Sequence, residues 1–464
     1  MVLQQRAWSG NFGNFVFSDS VHKMLLTEDR DISIISEKDV HREAASTLAA
    51  RVNDEYDILV LPFANAFRTA YLPHLKKWTQ LIRELRIPVM VIGIGAQSTL
   101  EYELEPLAPL NDAVRDFCRA VLERSPSMGV RGHFTHAYLT SLGIKDVDVI
   151  GCPSMFRNGD RFSVREKSGT LGADALIAAS FTETGAGDAS AILRSNLQRY
   201  RNLHYIAQDL PDLEMMYWGD TSEAAQLEAD QPRHRTHPVF QDNRARLFLD
   251  PVTWINTLGT YDFSFGTRIH GNITALLGGT PSVVLAHDSR TRELSEYFDI
   301  PHRRLTDFAG RIDVAELYDG ADFSALLSGH RRRFEVITGF LAKHGLDHVY
   351  AEGGDQGAAF ERRMSEIEFA PPVESWQGDT DPTGFRTAWL HSNTMRQKRQ
   401  LATARKSIVG LTSQVAELEK TVASLDKALR ALQQEREGGR KPASESPHRR
   451  ARRAVGKRIR RLSE

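Results

Sequence analysis

YDFSFGTRIHGNITALLGGTPSVVLAH, residues 261–287, reads in order as a strand, a tight turn, a helix and the next strand. A βα unit followed by its successor belongs to a parallel sheet covered by helices, and the chain repeats this pattern up to about residue 345. Short runs at 58–62, 89–94, 176–179, 204–207, 262–265 and 282–286 are rich in Val, Ile, Leu or Phe and bounded by turn formers, so each is expected as a buried strand. Between them lie amphipathic stretches. In residues 71–85, for example, Leu72, Leu75, Trp78, Leu81, Ile82 and Leu85 recur at helical spacing. A polar, glycine-rich interval at 157–172 carries no long apolar run and is read as the linker between two α/β halves, residues 1–160 and 173–345.

Composition sets the limits around this reading. At roughly 150 residues per domain, 464 residues leave room for two or three domains and at least one large core. Hydrophobic residues at 41% and charged residues at 26% exclude global disorder and a polytopic membrane protein. Lys+Arg of 59 against Asp+Glu of 60 argues against a surface built to grip nucleic acid, and no nucleic-acid partner is expected. Two cysteines, Cys118 and Cys152, cannot make a disulfide framework or a Cys-rich zinc site and suit a reducing compartment. The opening residues MVLQQRAWSGNFGN have no apolar core of signal-peptide length, and no apolar run reaches 18 residues, so a cytoplasmic location is expected.

The C-terminal part is of a different kind. Residues 346–385 form a connecting segment that ends among prolines and glycines. From Ile408 onward, Ile408, Leu411, Val415, Leu418, Val422, Leu425, Leu429 and Leu432 alternate three-four spacing, so the apolar stripe repeats every 3.5 residues. The a positions read Ile, Val, Val, Leu and the d positions are all Leu, which predicts a parallel two-stranded coiled coil within 386–437 and hence a homodimer. An amphipathic helix packed back on the body is the alternative. Residues 438–464 form a basic tail; from Arg440 on there are ten Lys or Arg against two Glu. Such a segment is expected at an anionic membrane surface, with a polyanionic glycan or no partner as alternatives.

Candidate chemistry begins in the opening motif. Arg268 and His270 stand two residues apart where the strand ends, so in extended backbone both side chains would face the crevice beyond its carboxyl end. Gly271 and the start of the next helix would add bare backbone N–H groups for an anion. A guanidinium suits a phosphate or carboxylate, and an imidazole can exchange a proton beside it. Three further segments fit such a site. They are the turn Gly10-Asn11-Phe12-Gly13-Asn14, the strand exit Gly93-Ile94-Gly95-Ala96-Gln97, and Gly129-Val130-Arg131-Gly132, where Arg131 again stands at the junction of an apolar run and a helix. His133, His136, His287 and His302 show no ligand spacing with acids, and neither a metal nor a cofactor is expected.

Together these motifs resemble the polysaccharide pyruvyl transferase family over about residues 8–305, most specifically in Gly266-Thr267-Arg268-Ile269-His270-Gly271 with Ala275, Gly278 and Pro281. The N-terminal turn carries Asn14 where the family motif usually has an acid. The resemblance implies two Rossmann-like domains in a GT-B-like arrangement and transfer of a pyruvyl group from phosphoenolpyruvate onto a saccharide acceptor, possibly lipid-linked, as a ketal. It implies Arg268, His270 and Arg131 as the residues that contact phosphoenolpyruvate, with His270 either acid or base. The other enzymatic expectation is a glycosyltransferase of the same architecture using a nucleotide sugar. A non-catalytic envelope-assembly scaffold is the third.

Overall fold

The computed structural model describes residues 10–182, 187–220, 232, 234–308, 311–376 and 382–437. The basic tail expected at 438–464 lies outside the described residues.

The first half is built on four parallel strands. β1 (Leu59–Pro62) pairs with β2 (Val89–Ile92), and β3 (Met128–Val130) pairs with β4 (Val147–Val149). A single bridge from Ile94 to Val130 joins the two pairs into the order β1-β2-β3-β4. β2, VMVI, is buried throughout, as a strand covered on both faces requires. The Leu72–Glu84 helix covers it with Leu75, Trp78, Leu81 and Ile82, the stripe its spacing predicts.

The second half is a seven-stranded sheet. β5 (Ile177–Ser180), β6 (Leu203–Ala207), β7 (Ala245–Leu247), β8 (Phe263–Gly266), β9 (Ser282–Ala286), β10 (His302–Arg304) and β11 (Val373–Glu374) lie in the order β10-β9-β8-β5-β6-β7-β11. All pairs are parallel except β11 with β7. Residues 373–374, within the expected connecting segment, thus close one edge of this sheet. The strand order reverses between β5 and β8, which makes this a doubly wound sheet with a switch point at its centre.

Each half has its own apolar core, and the chain interlaces them. The Gly13–Leu25 helix precedes the first sheet, yet its Phe17, Val21, Met24 and Leu25 belong to the second core with Ile150, Cys152, Met155 and Phe156. At the other end of the body the Ser324–Lys343 helix returns to the first half, where Lys343 pairs with Asp148 at 2.9 Å and His344 meets Ser125 Oγ at 3.0 Å. Two Rossmann-like halves, joined by crossing segments and facing each other beyond their strand ends, are the GT-B-like arrangement. The described residues up to Trp389 form one compact unit and those from Leu390 a second. A 56-residue helix, Pro382–Glu437, carries the heptad stripe, and Ile408, Leu411, Val415, Leu418, Val422, Leu425 and Leu429 are all exposed along it.

Candidate active site

The switch point lies between β5 and β8, and in open α/β sheets ligands bind in the crevice beyond the strands' carboxyl ends at such a point. β8 ends at Gly266, Arg268 caps the Ile269–Leu277 helix in an extended conformation, and His270 is already inside the helix. The expected same-facing pair is therefore not formed, because the strand stops before Arg268 and the helical turn swings His270 away. Arg268 donates from Nη1 to Asp209 Oδ1 at 3.2 Å, pairs through Nη2 with Asp209 Oδ2, and donates from Nε to Phe181 O at 3.2 Å. The guanidinium is spoken for by a carboxylate.

His270 is buried and meets different neighbours. Its Nε2 lies 3.9 Å from Cys152 Sγ, and its ring stands edge-on to Phe17. Gly13 passes so close that a Cβ there would lie 2.8 Å from His270 Cβ. Burial, with Arg131 and Arg290 nearby, lowers the His270 pKa to about 3, so the imidazole is neutral. The N-terminal turn touches both sides of the motif: Asn11 bridges to Asp209, Phe12 N donates to Gln208 O, Leu210 N donates to Gly10 O, and Asn14 N donates to Asn11 O as the helix begins. Gly271 lies beneath Ser180 Oγ and Gln208 Nε2, where a Cβ would meet them at 2.5 and 2.6 Å. Neither of those buried atoms has a hydrogen-bond partner among the described residues.

Arg131 follows β3 and is 2% exposed. Its chain crosses Gly95, where a Cβ would stand 2.4 Å from Arg131 Cδ, so only glycine leaves it room. Its Nε and Nη2 have no acceptor among the described residues. The two acids near enough to matter electrostatically are already occupied. Glu293 accepts from Thr135 N at 2.6 Å and Thr135 Oγ1 at 3.0 Å, and burial lifts its pKa to about 7, so it is a partial counter-ion at best. Asp288 is taken by Arg290, with Nε at 2.6 Å. Arginine cannot shed its proton to escape this position. Among the described residues no carboxylate is hydrogen-bonded to this buried guanidinium.

Residues of both halves meet at this point. Gln97 accepts from Asn65 Nδ2 at 3.0 Å and donates to Asp288 Oδ2 at 3.4 Å; Ser98 N donates to Ser289 Oγ at 2.7 Å. Asp288 caps the Ser289–Phe298 helix through Thr291 N at 3.1 Å. The geometry thus draws Gly10, Asn11, Gly13, Gly271, Arg268 and His270 around the crevice of the second half, with Gly95, Gln97 and Arg131 reaching it from the first. Asp209, Glu293, Asp288 and Arg290 are the members sequence reasoning missed. The only local signals were Asp209-Leu210-Pro211 and Asp288 with Thr291, which read as helix caps.

No curated protein matches the chain. Among solved structures it is similar to Staphylococcus aureus MnaA with UDP (12% identity, 68% of this chain and 83% of that one, TM-score 0.38). Anabaena HepE with UDP and glucose is another (12%, 70% and 81%, 0.36), as is UDP-GlcNAc 2-epimerase from Neisseria meningitidis with UDP-GlcNAc (11%, 73% and 84%, 0.33). At such TM-scores none of them bears on this chain's chemistry. The sequence pattern of one family, by contrast, matches residues 11–289, which run from the N-terminal turn through the R-x-H-G helix to the Asp288 cap. The chain belongs to the polysaccharide pyruvyl transferase family.

Proposed function

We propose that the protein moves the pyruvyl group of phosphoenolpyruvate onto two hydroxyls of a cell-envelope or exopolysaccharide precursor, forming a ketal and releasing phosphate. The observation that supports this reading most is Arg131, a buried cation whose Nε and Nη2 lack an acceptor among the described residues. The donor's phosphate or carboxylate supplies what it lacks. Ser180 Oγ and Gln208 Nε2 beside Gly271 offer two further polar atoms without a partner among the described residues. Because Arg131 is enclosed between the halves, donor entry requires them to part at the Ser98–Ser289 contact.

In the reaction a proton goes to the enol carbon, one sugar hydroxyl attacks the resulting cationic centre, phosphate leaves and the second hydroxyl closes the ring. His270, neutral in the free protein, gains a proton more readily once an anion offsets Arg131 and Arg290, and in that form serves as acid; as neutral imidazole it serves as base. Arg268 is held by Asp209 and acts on the donor only if Asp209 yields it. Incubation with phosphoenolpyruvate and a panel of lipid-linked or nucleotide-linked saccharides should release phosphate and add a pyruvyl mass to one acceptor. Binding of UDP with indifference to phosphoenolpyruvate would replace this reading with a nucleotide-sugar glycosyltransferase.

The long helix is proposed to pair in parallel with that of a second chain, covering the exposed stripe from Ile408 to Leu429. Two basic tails brought together in this way would hold the dimer at an anionic membrane surface. Among the described residues no helix is long and apolar enough to cross a membrane. Leu411→Asp with Leu418→Asp in the full chain should convert a dimer to a monomer at micromolar concentration in sedimentation; an unchanged mass would remove the coiled coil.

A further inference from the structure

Outside the crevice, three metal-ligating side chains converge on the first half. Glu37 and His41 are one turn apart on the Glu37–Arg42 helix, and His74 stands near the start of the Leu72–Glu84 helix. His74 Nδ1 lies 2.7 Å from His41 Nε2 and 2.9 Å from Glu37 Oε1. One donor atom of each lies within 4.8 Å of the other two. Hydrogen bonding does not account well for this convergence. His74 Nδ1 offers either one proton or one lone pair yet faces both an imidazole nitrogen and a carboxylate oxygen, so neither tautomer serves both well, whereas a cation satisfies all three groups together.

The surroundings hold the ligands in place. Tyr71 stacks on the His74 ring at 5.0 Å and 13°. Ser36 and Asp39 fix the start of the short helix by a reciprocal cap, which leaves Glu37 rather than Asp39 for the cluster. Outer partners of this kind orient metal ligands.

We propose that Glu37, His41 and His74 bind one divalent transition cation, with Zn²⁺ the best fit, and thereby pin the short helix to the longer one. Two imidazole nitrogens and one carboxylate oxygen, without thiolate, are a zinc donor set with a fourth position for water; Mg²⁺ prefers oxygen. Ligand bonds of about 2.0–2.2 Å need the two imidazole nitrogens about 3.3 Å apart. That is a small outward shift from 2.7 Å for side chains that are partly exposed.

The test is equilibrium dialysis of the metal-stripped full chain against Zn²⁺ alone, with thermal denaturation in parallel. The wild type should take up one tight equivalent, undisturbed by excess Mg²⁺, and gain thermal stability. His41→Ala and His74→Ala should each weaken that site at least tenfold, and Glu37→Gln severalfold, with unchanged circular dichroism. X-ray absorption of the zinc complex should show nitrogen and oxygen neighbours and no sulfur. No stoichiometric zinc in the wild type, or undiminished affinity in the His41→Ala/His74→Ala double variant, would overturn the proposal.

Discussion

Arg131 and Arg268 are one residue type at equivalent places, each where a strand gives way to a helix, one in each half. Their surroundings set them apart. Arg268 spends its guanidinium on Asp209 and Phe181 O, whereas Arg131 is buried between the halves with two nitrogens that have no acceptor among the described residues. Removing one partner of a buried ion pair strands the other charge, whereas a buried arginine without a partner carries its desolvation cost unrelieved. On this comparison Arg268 organises the crevice by fixing the Asp209 segment and, through Asn11, the N-terminal turn. On the function proposed above, Arg131 and its neighbour His270 would form the part that meets the donor.

The largest effect should come from the Arg131 side. His270→Ala should lower turnover by roughly two to four orders of magnitude if the imidazole transfers a proton, in a protein that remains folded by circular dichroism. A loss below tenfold, measured by phosphate release, would make His270 structural and erase the contrast between the two sides. On the other side the loss should be one of folding. Arg268→Ala strands Asp209 in a nearly closed site and should cost about 3 kcal/mol in urea denaturation, and adding Asp209→Asn should recover most of it. Additive losses in the double variant would mean that the pair is not coupled.

A smaller effect sharpens the account of Arg131's missing counter-ion. Glu293 has a folded pKa raised to about 7 from an ordinary 4.5. Its unfolded form therefore ionises first, so its contribution to stability is complete below pH 4.5 and is lost as pH rises to about 7. Glu293→Gln has no such loss. The variant should gain on the wild type between pH 4.5 and 7, with a constant difference above. A difference independent of pH would mean that Glu293 is ionised throughout and neutralises Arg131 after all.

How much of this was legible in the sequence follows from length and locality. Runs such as VMVI and SVVLA are long and apolar enough to be read as strands, and the Leu72–Glu84 stripe as a helix. β3, β4, β7 and β10 are three residues long and include Gly129, Asp148, Arg246 or Arg303, too short and too mixed to give a periodic signal. The docking of the Gly13–Leu25 helix on the second core depends on packing between segments far apart in the chain. At the site, Arg131, Arg268 and His270 announced themselves by residue type and position. Asp209 and Glu293 did not, since a single acid in a helical region looks like a cap or a solvated charge until sheet order brings it to its partner. A same-facing Arg268 and His270 would need extended backbone through residue 270, four residues past the strand's end at Gly266, and nothing local in the sequence marks that the helix begins at Ile269 instead.

The central claim is that Arg131 is an uncompensated charge kept for an anion, and one variant tests it directly. Arg131→Met keeps the chain that crosses Gly95 and removes only the guanidinium. Thermal and urea denaturation of the two proteins, with and without phosphoenolpyruvate, should show the variant more stable than the wild type by about 1 kcal/mol or more, with donor binding weakened at least tenfold. A variant that is less stable, and that phosphoenolpyruvate stabilises as much as it does the wild type, would contradict the account.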